Sequence, residues 1–483
     1  MNDKTLNRIL FIFGFLALFF YFGLIHPLVP FDTDDWMNLT ISRPLYPSLQ
    51  CWNPTKVFPE RLEPAVVAIA ARYIAPVIGD YVNALILANA LVISFFISSY
   101  LYLAQRLLTN RFRLSLPCSF CIVVIFALLH FYILKTKEVG NDYLWYAEDS
   151  NCYYHYIASN MLNACLVLWL MRHDVKKLMN GWRIFFLVIA TYFALCSNLY
   201  STVILIAYIG ATLFYELFEC DKNANRWLVL YIRRHAYYLI VLLLWWLIQL
   251  IEMNGKRANT YGHLEDSMFD FFPQTVQALF TIHFNFGVIA FVTLALVGAK
   301  AQNILCGDHK ILHIGKRQII ILLAAFLSLV YLVLLSSEVN PDNIQKGQII
   351  FSWIFFLLLL SLLCFGYLCF KIKSIRYLMP LAILLVIFNI RNLRTEFLGV
   401  QGLWGISEYE CIDYDRAIID QVRHAEALGQ DSVVIRVPKL HPKGNWPLSL
   451  DCDFAVGKTL FKHRVVRRRL KTSFIIDEQL THL

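Results

Sequence analysis

The sequence predicts an all-α polytopic membrane protein of about eleven transmembrane helices with a small α+β C-terminal domain. Hydrophobic residues make up 58% of the chain and charged residues 16%, against roughly 45–50% and 25% in soluble domains. Apolar runs long enough to cross a hydrocarbon core of about 30 Å recur as far as residue 393. They are continuous rather than alternating, which argues against a barrel, and inside lipid helices and closed barrels alone satisfy their backbone groups.

Residues 9–29 carry no charge and follow Lys4 and Arg8. Their apolar core exceeds that of a signal peptide and no small-x-small cleavage site follows, so the segment reads as a retained helix. Further spans are expected at about 81–104, 115–134, 157–171, 184–198, 200–218, 236–253, 275–299, 318–335, 348–370 and 377–393. One set of loops holds about twenty Lys and Arg and the alternate set about eight, which predicts a cytoplasmic N-terminus and an extracytoplasmic C-terminus. This topogenic charge accounts for much of the net +9, so no nucleic-acid partner is implied.

The two expected units are a membrane domain, 1–393, and an extracytoplasmic domain, 394–483. The first outer loop, 30–80, is long and rich in Pro and Trp, and its apolar stretch 65–78 is expected to lie along the membrane interface. The loop 135–156 mixes acids with aromatic residues, which serve equally for sugar stacking and for interface packing. Ser197-Asn198 is a short polar break expected to be buried, and His283 is expected to bridge helices from within span 275–299. In the tail, 413–428 has helical spacing with Gly429 as its stop, and 432–437 reads as a strand. Pairing of Cys411 with Cys452 and two buried free thiols are both open there.

The most informative motif is Asp32-Thr33-Asp34-Asp35-Trp36, which emerges directly after the first span. Carboxylates at a lipid boundary are poorly solvated, which makes them candidates for general-base work or for holding a divalent cation such as Mg or Mn; Asp32 and Asp34 are the first ligands to consider. Arg61 would bind phosphate oxygens bidentately or pair with Glu60, Glu63 or an Asp of the same loop. Lys256 and Arg257 would hold a phosphate at the lipid surface or contact lipid headgroups. Glu148, Asp149 and His155, among tyrosines, suit sugar binding or acid–base chemistry, or a stabilising loop network. The sequence has no phosphate-binding glycine loop, no GxSxG and no HExxH, which argues against ATP-driven transport, serine hydrolysis and zinc proteolysis.

The Asp34-Asp35 pair after the first span, Trp52 followed by Arg61, the aromatic stretch from Asp142 to Tyr156 and the polar turn after span five together resemble the GT-C superfamily of integral-membrane glycosyltransferases. Within it the chain is similar to bacterial O-antigen glucosyltransferase (Gtr-type) proteins and related uncharacterised membrane proteins. The resemblance implies a polyprenyl-phosphate sugar as donor, a cell-surface glycan or lipid-linked acceptor, and a site on the outer face of the bacterial inner membrane. It further implies that Asp34 or Asp35 deprotonates the acceptor hydroxyl and that Arg61 with Lys256 or Arg257 stabilises the departing phosphate; Trp36, Glu148, Asp149 and His155 are the candidates for substrate binding. The triple-acid DxDD departs from the family's simpler pair, which leaves open which carboxylate is the base. A lipid-linked oligosaccharide flippase or transporter and an O-antigen polymerase or ligase are the alternatives. A transporter would concentrate polar residues at mid-membrane.

Overall fold

The computed structural model describes residues 3–30, 32–46, 53–131, 134–136, 140–147, 149–173, 175, 181–220, 226–255, 268–284, 296, 298, 300, 315–392, 407–440, 445, 448 and 453–480. Among these residues, six helices are long and apolar enough to cross a membrane: Asn7–Ile25, Tyr81–Asn110, Leu199–Glu219, Trp227–Met253, Lys316–Val339 and Gly347–Lys371. Three shorter apolar helices accompany them, Leu116–Leu129, Trp182–Leu195 and Ile375–Phe388. Span 157–171 lies inside a helical run over 150–172.

The expected span 275–299 is corrected. Its helix, Met268–Phe280, contains Pro273 and stops, and His283–Phe284 forms a short strand antiparallel to Leu134–Thr136. Thr281 turns its hydroxyl back onto the Ala278 carbonyl at 2.7 Å and accepts a hydrogen bond from Gln345 at 2.9 Å, which fixes the break. His283 is therefore a strand residue rather than a bridge within a helix. The same Leu134–Thr136 strand pairs with Gly140–Asp142 on its other edge.

Helix association in lipid depends on close packing and hydrogen bonds, because lipid tails are as apolar as leucine. Gly347–Lys371 is the central helix, with 83% of its apolar window buried, whereas Asn7–Ile25 and Trp227–Met253 are peripheral at 11% each. Gly366 lets the central helix approach Tyr81–Phe112: a Cβ there would lie 2.7 Å from Leu108 Cδ2 and 2.9 Å from the Phe112 ring. Ser352 donates to the Tyr200 carbonyl at 2.9 Å. The Ser197-Asn198 break is buried as expected: Asn198 caps the Leu199–Glu219 helix by accepting from the Tyr200 N–H at 2.9 Å, and Ser197 accepts from Asn163 at 3.1 Å. The aromatic loop is used for packing. Trp145 is fully buried and stacks on His130 at 4.4 Å, and the Tyr143 and Tyr21 hydroxyls share a hydrogen bond of 2.5 Å.

The C-terminal unit begins with the helix Glu408–Ala427, closed at its start by a Ser407/Glu410 capping box. At its end Gly429 takes φ +78°, and the Gly429 and Gln430 N–H groups bond the Glu426 and Ala425 carbonyls, each at 3.0 Å. This is the left-handed stop that glycine permits. Strands Ser432–Pro438 and Lys471–Asp477 pair in parallel, with the helix Asp453–Lys462 in the crossover. The unit is therefore a βαβ element preceded by a helix. Cys411 is a buried free thiol, and Cys452 lies outside the described residues.

This unit sits at the end of the bundle where the first span finishes. His26 pairs with Glu408 at 2.9 Å, Arg416 with Asp80 at 2.8 Å, and Tyr81 hydrogen-bonds His463 at 2.6 Å. One apolar cluster joins Val29, Trp36, Leu39 and Leu85 with Ile418, Val422, Ile435 and Val456.

Candidate metal centre

The first span ends in a π-helical turn, Tyr21–Ile25, ahead of Pro27. Asp32 then caps the short helix Thr33–Asn38 by accepting the Asp35 N–H at 3.1 Å. Asp35 points into the protein and is fully buried, whereas Asp34, one residue earlier, is exposed. The Asp35 carboxylate accepts the Ser150 N–H at 3.1 Å and the Asn151 N–H at 2.6 Å. Those two donors open the helical run 150–172, where backbone N–H groups lack partners within the helix and the dipole favours a negative charge. Asp35 thus caps a helix distant in sequence, and in doing so draws Asp149 beside it. One oxygen each from Asp32, Asp35 and Asp149 lies within 4.8 Å of the others.

A fourth carboxyl completes the cluster. Glu63, on the helix Pro59–Ile69, is 0% exposed, and neither oxygen has a hydrogen-bond partner among the described residues. Burial, then the charges of Asp35, Glu60 and Asp149, push its pKa well above the ordinary carboxylate value, which favours its neutral form. Its neighbour one turn back, Glu60, is also buried but pairs with Arg43 at 2.9 Å and Lys56 at 3.8 Å. A fifth, Asp415 of the C-terminal unit, is raised by burial and by Asp35, with a hydrogen bond from the Trp36 side chain acting the other way.

These shifts have a consequence for stability. A carboxyl whose pKa is raised on folding leaves the folded state holding more protons than the unfolded one, so stability is greatest below the unfolded value of 4.5 and declines as pH rises above it. Glu63→Gln keeps the shape of the neutral acid and is expected to flatten this decline. Melting curves of the wild type and the variant from acid to neutral pH check it; a variant that melts lower at neutral pH would contradict a neutral Glu63.

The other predicted residues are distributed unevenly. Trp36 is buried against the C-terminal unit, with its carbonyl accepting from Thr459 at 3.1 Å, so it anchors that unit rather than lining an open surface. Arg61 is exposed and forms no ion pair with Glu60, Glu63 or any other acid among the described residues. His155 is buried in the π-helical turn Tyr153–Ala158 just beyond the cluster. Glu148, Lys256 and Arg257 lie outside the described residues. Asp34, considered with Asp32 as a first ligand, is exposed and not among the three convergent acids; Asp35 and Asp149 stand with Asp32 instead. The helix Thr33–Asn38 explains the swap, since consecutive residues on a helix point about 100° apart.

The donor set is made of carboxylate oxygens, with the backbone N–H groups of Asp35, Ser150 and Asn151 among the groups that bond them. Such a set fits a hard divalent cation of the Mg or Mn kind. No family model, curated protein or solved structure matches the chain.

Proposed function

We propose that the chain is a bacterial inner-membrane glycosyltransferase that moves a sugar from a polyprenyl-phosphate carrier to a cell-surface glycan or lipid-linked acceptor on the extracytoplasmic face. The observation that carries this reading is the convergence of Asp32, Asp35 and Asp149 at the end of the first span, with exposed Asp34 beside them. Acidic groups gathered at the bundle end, rather than at mid-membrane, favour a transferase over a transporter. Ser197 and Asn198, the polar break between two apolar helices, are occupied in helix capping and packing.

The two candidate bases separate by environment. Asp35 is held in place by two backbone donors, which suits it to position charge rather than to move a proton. Asp34 is exposed and would take the proton from the acceptor hydroxyl as that oxygen bonds the anomeric carbon. The bond from the anomeric carbon to the phosphate oxygen breaks in the same step, and its electron pair leaves on the lipid phosphate. A divalent cation held by Asp32, Asp35 and Asp149 would supply positive charge for phosphate oxygens near the site. Arg61, with Lys256 and Arg257, would bind the phosphate directly, and its guanidinium is not committed to another acid among the described residues.

Incubation of the purified chain with radiolabelled polyprenyl-phosphate sugar and membrane acceptor tests the proposal. Wild type is expected to transfer label, and Asp34→Asn to lower the rate by about 100-fold or more, the scale of general-base catalysis. Undiminished transfer in both Asp34→Asn and Asp35→Asn would remove the assignment. Flipping of the carrier without transfer would favour the transporter.

A further inference from the structure

The C-terminal unit carries a basic face for which the proposed chemistry has no use. Lys458 and Lys462 on the crossover helix and Arg464, Arg467 and Arg469 in the connection to the last strand form no ion pair among the described residues. Arg468, in the same stretch, is paired with Asp431 at 3.5 Å. The Glu426 carboxylate accepts the Arg467 and Arg468 N–H groups at 2.6 and 2.9 Å, so cations outnumber acids on this face without standing alone. Burial, then the charges of Lys458 and Arg469, hold the Lys462 ammonium below its usual value.

Three of these cations surround a cavity of about 500 Å³ lined by Phe461, Lys462, Arg464, Val466 and Arg467. Apolar Phe461 and Val466 beside three cations match a group that joins a phosphate to a hydrocarbon. Arg464 sits at φ 63°, a left-handed conformation that glycine would hold more easily, so its side chain is kept at some cost in backbone strain.

The helical stretch from Pro59 to Ile78 exposes Ile69, Tyr73 and Val77 at 55%, 72% and 82%, an apolar stripe at helical spacing of the kind that beds into a membrane interface. Arg72, next to Tyr73, is close enough to His463 for its charge, after burial, to help lower the imidazole pKa to about 4. Lys462 donates to the Thr40 carbonyl at 3.4 Å, which ties the basic segment to the same outer loop. The basic segment and the element that carries the apolar stripe therefore belong to the same end of the fold.

We propose that the basic face of the C-terminal unit docks onto anionic phospholipid headgroups of the bilayer the chain spans, with a headgroup phosphate seated among Lys462, Arg464 and Arg467. The full chain, held in zwitterionic micelles and titrated with short-chain phosphatidylglycerol, is expected to slow amide exchange over residues 461–470. Arg464→Gly and Arg467→Gln are each expected to weaken that response by roughly fivefold, the factor for one cation at an anionic surface. Arg464→Gly also relaxes the turn, and unchanged exchange over Glu408–Ala427 and Lys471–Asp477 establishes that the variants fold. An equal response to phosphatidylcholine, or no loss in the variants, would overturn the proposal. An equal response to inorganic phosphate alone would assign the cavity to a soluble phosphate ligand and overturn it as well.

Discussion

Asp35→Ala is expected to lower the stability of the chain by about 3 kcal/mol or more, because hydrogen bonds to a charged group contribute about 1.5–3 kcal/mol each and two are lost. The Ser150 and Asn151 N–H groups would lose their carboxylate partner at the buried start of the 150–172 run. An opposing effect exists, since removing one acid relieves repulsion within the cluster. The loss of two charge-assisted hydrogen bonds is expected to exceed it. Asp35→Asn keeps one acceptor and should fall between. Thermal unfolding of the solubilised chain, with amide exchange at 150–155, measures both. Exchange there that is unchanged in Asp35→Ala would contradict the capping role.

Gly457→Ala is the second large effect, and it acts on the site from a distance. A Cβ at position 457 would stand 2.4 Å from the Leu470 carbonyl oxygen and 3.0 Å from Thr472 Cγ2, so the crossover helix and the last strand must separate. Overpacking of this kind costs about 1–3 kcal/mol. Two residues on, Thr459 bonds the Trp36 carbonyl at 3.1 Å, which ties this helix to the helix that bears Asp35. The variant is expected to melt earlier and to show faster exchange over 33–38 as well as over 453–477. Gly14→Ala is the control: nothing lies within 4 Å of its Cβ, so that variant should match or slightly exceed the wild type. A Gly457→Ala chain that melts like the wild type would contradict the close packing.

The parts of this architecture legible in the sequence were those set by local chemistry. Unbroken apolar runs located most of the helices, Gly429 located a helix end, and the 432–437 alternation located a strand. Span 275–299 misled because its composition is as apolar as a true span, while the break at Thr281 depends on Gln345, far along the chain. The early aspartates stood out as a run of like charge at a lipid boundary. Their division of labour did not, because it depends on which of two adjacent residues faces inward, and that is decided by the distant N–H groups of 150–151. Asp149 was recognised, though for sugar binding. Glu63 and Asp415 went unrecognised as part of the cluster, since burial among other acids leaves no local signature. Glu60, three residues before Glu63, was the available hint: two acids one helical turn apart share a face.

The central claim is that Asp32, Asp35 and Asp149 form a cation site from which Asp34 stands apart. Titration of the full chain with Mn2+, followed by electron paramagnetic resonance, tests it most directly. A single bound ion per chain, displaced by Mg2+, lost in Asp32→Asn and Asp149→Asn and retained in Asp34→Asn, is the predicted result. No bound ion in the wild type, or an ion retained in Asp149→Asn and lost in Asp34→Asn, would contradict it.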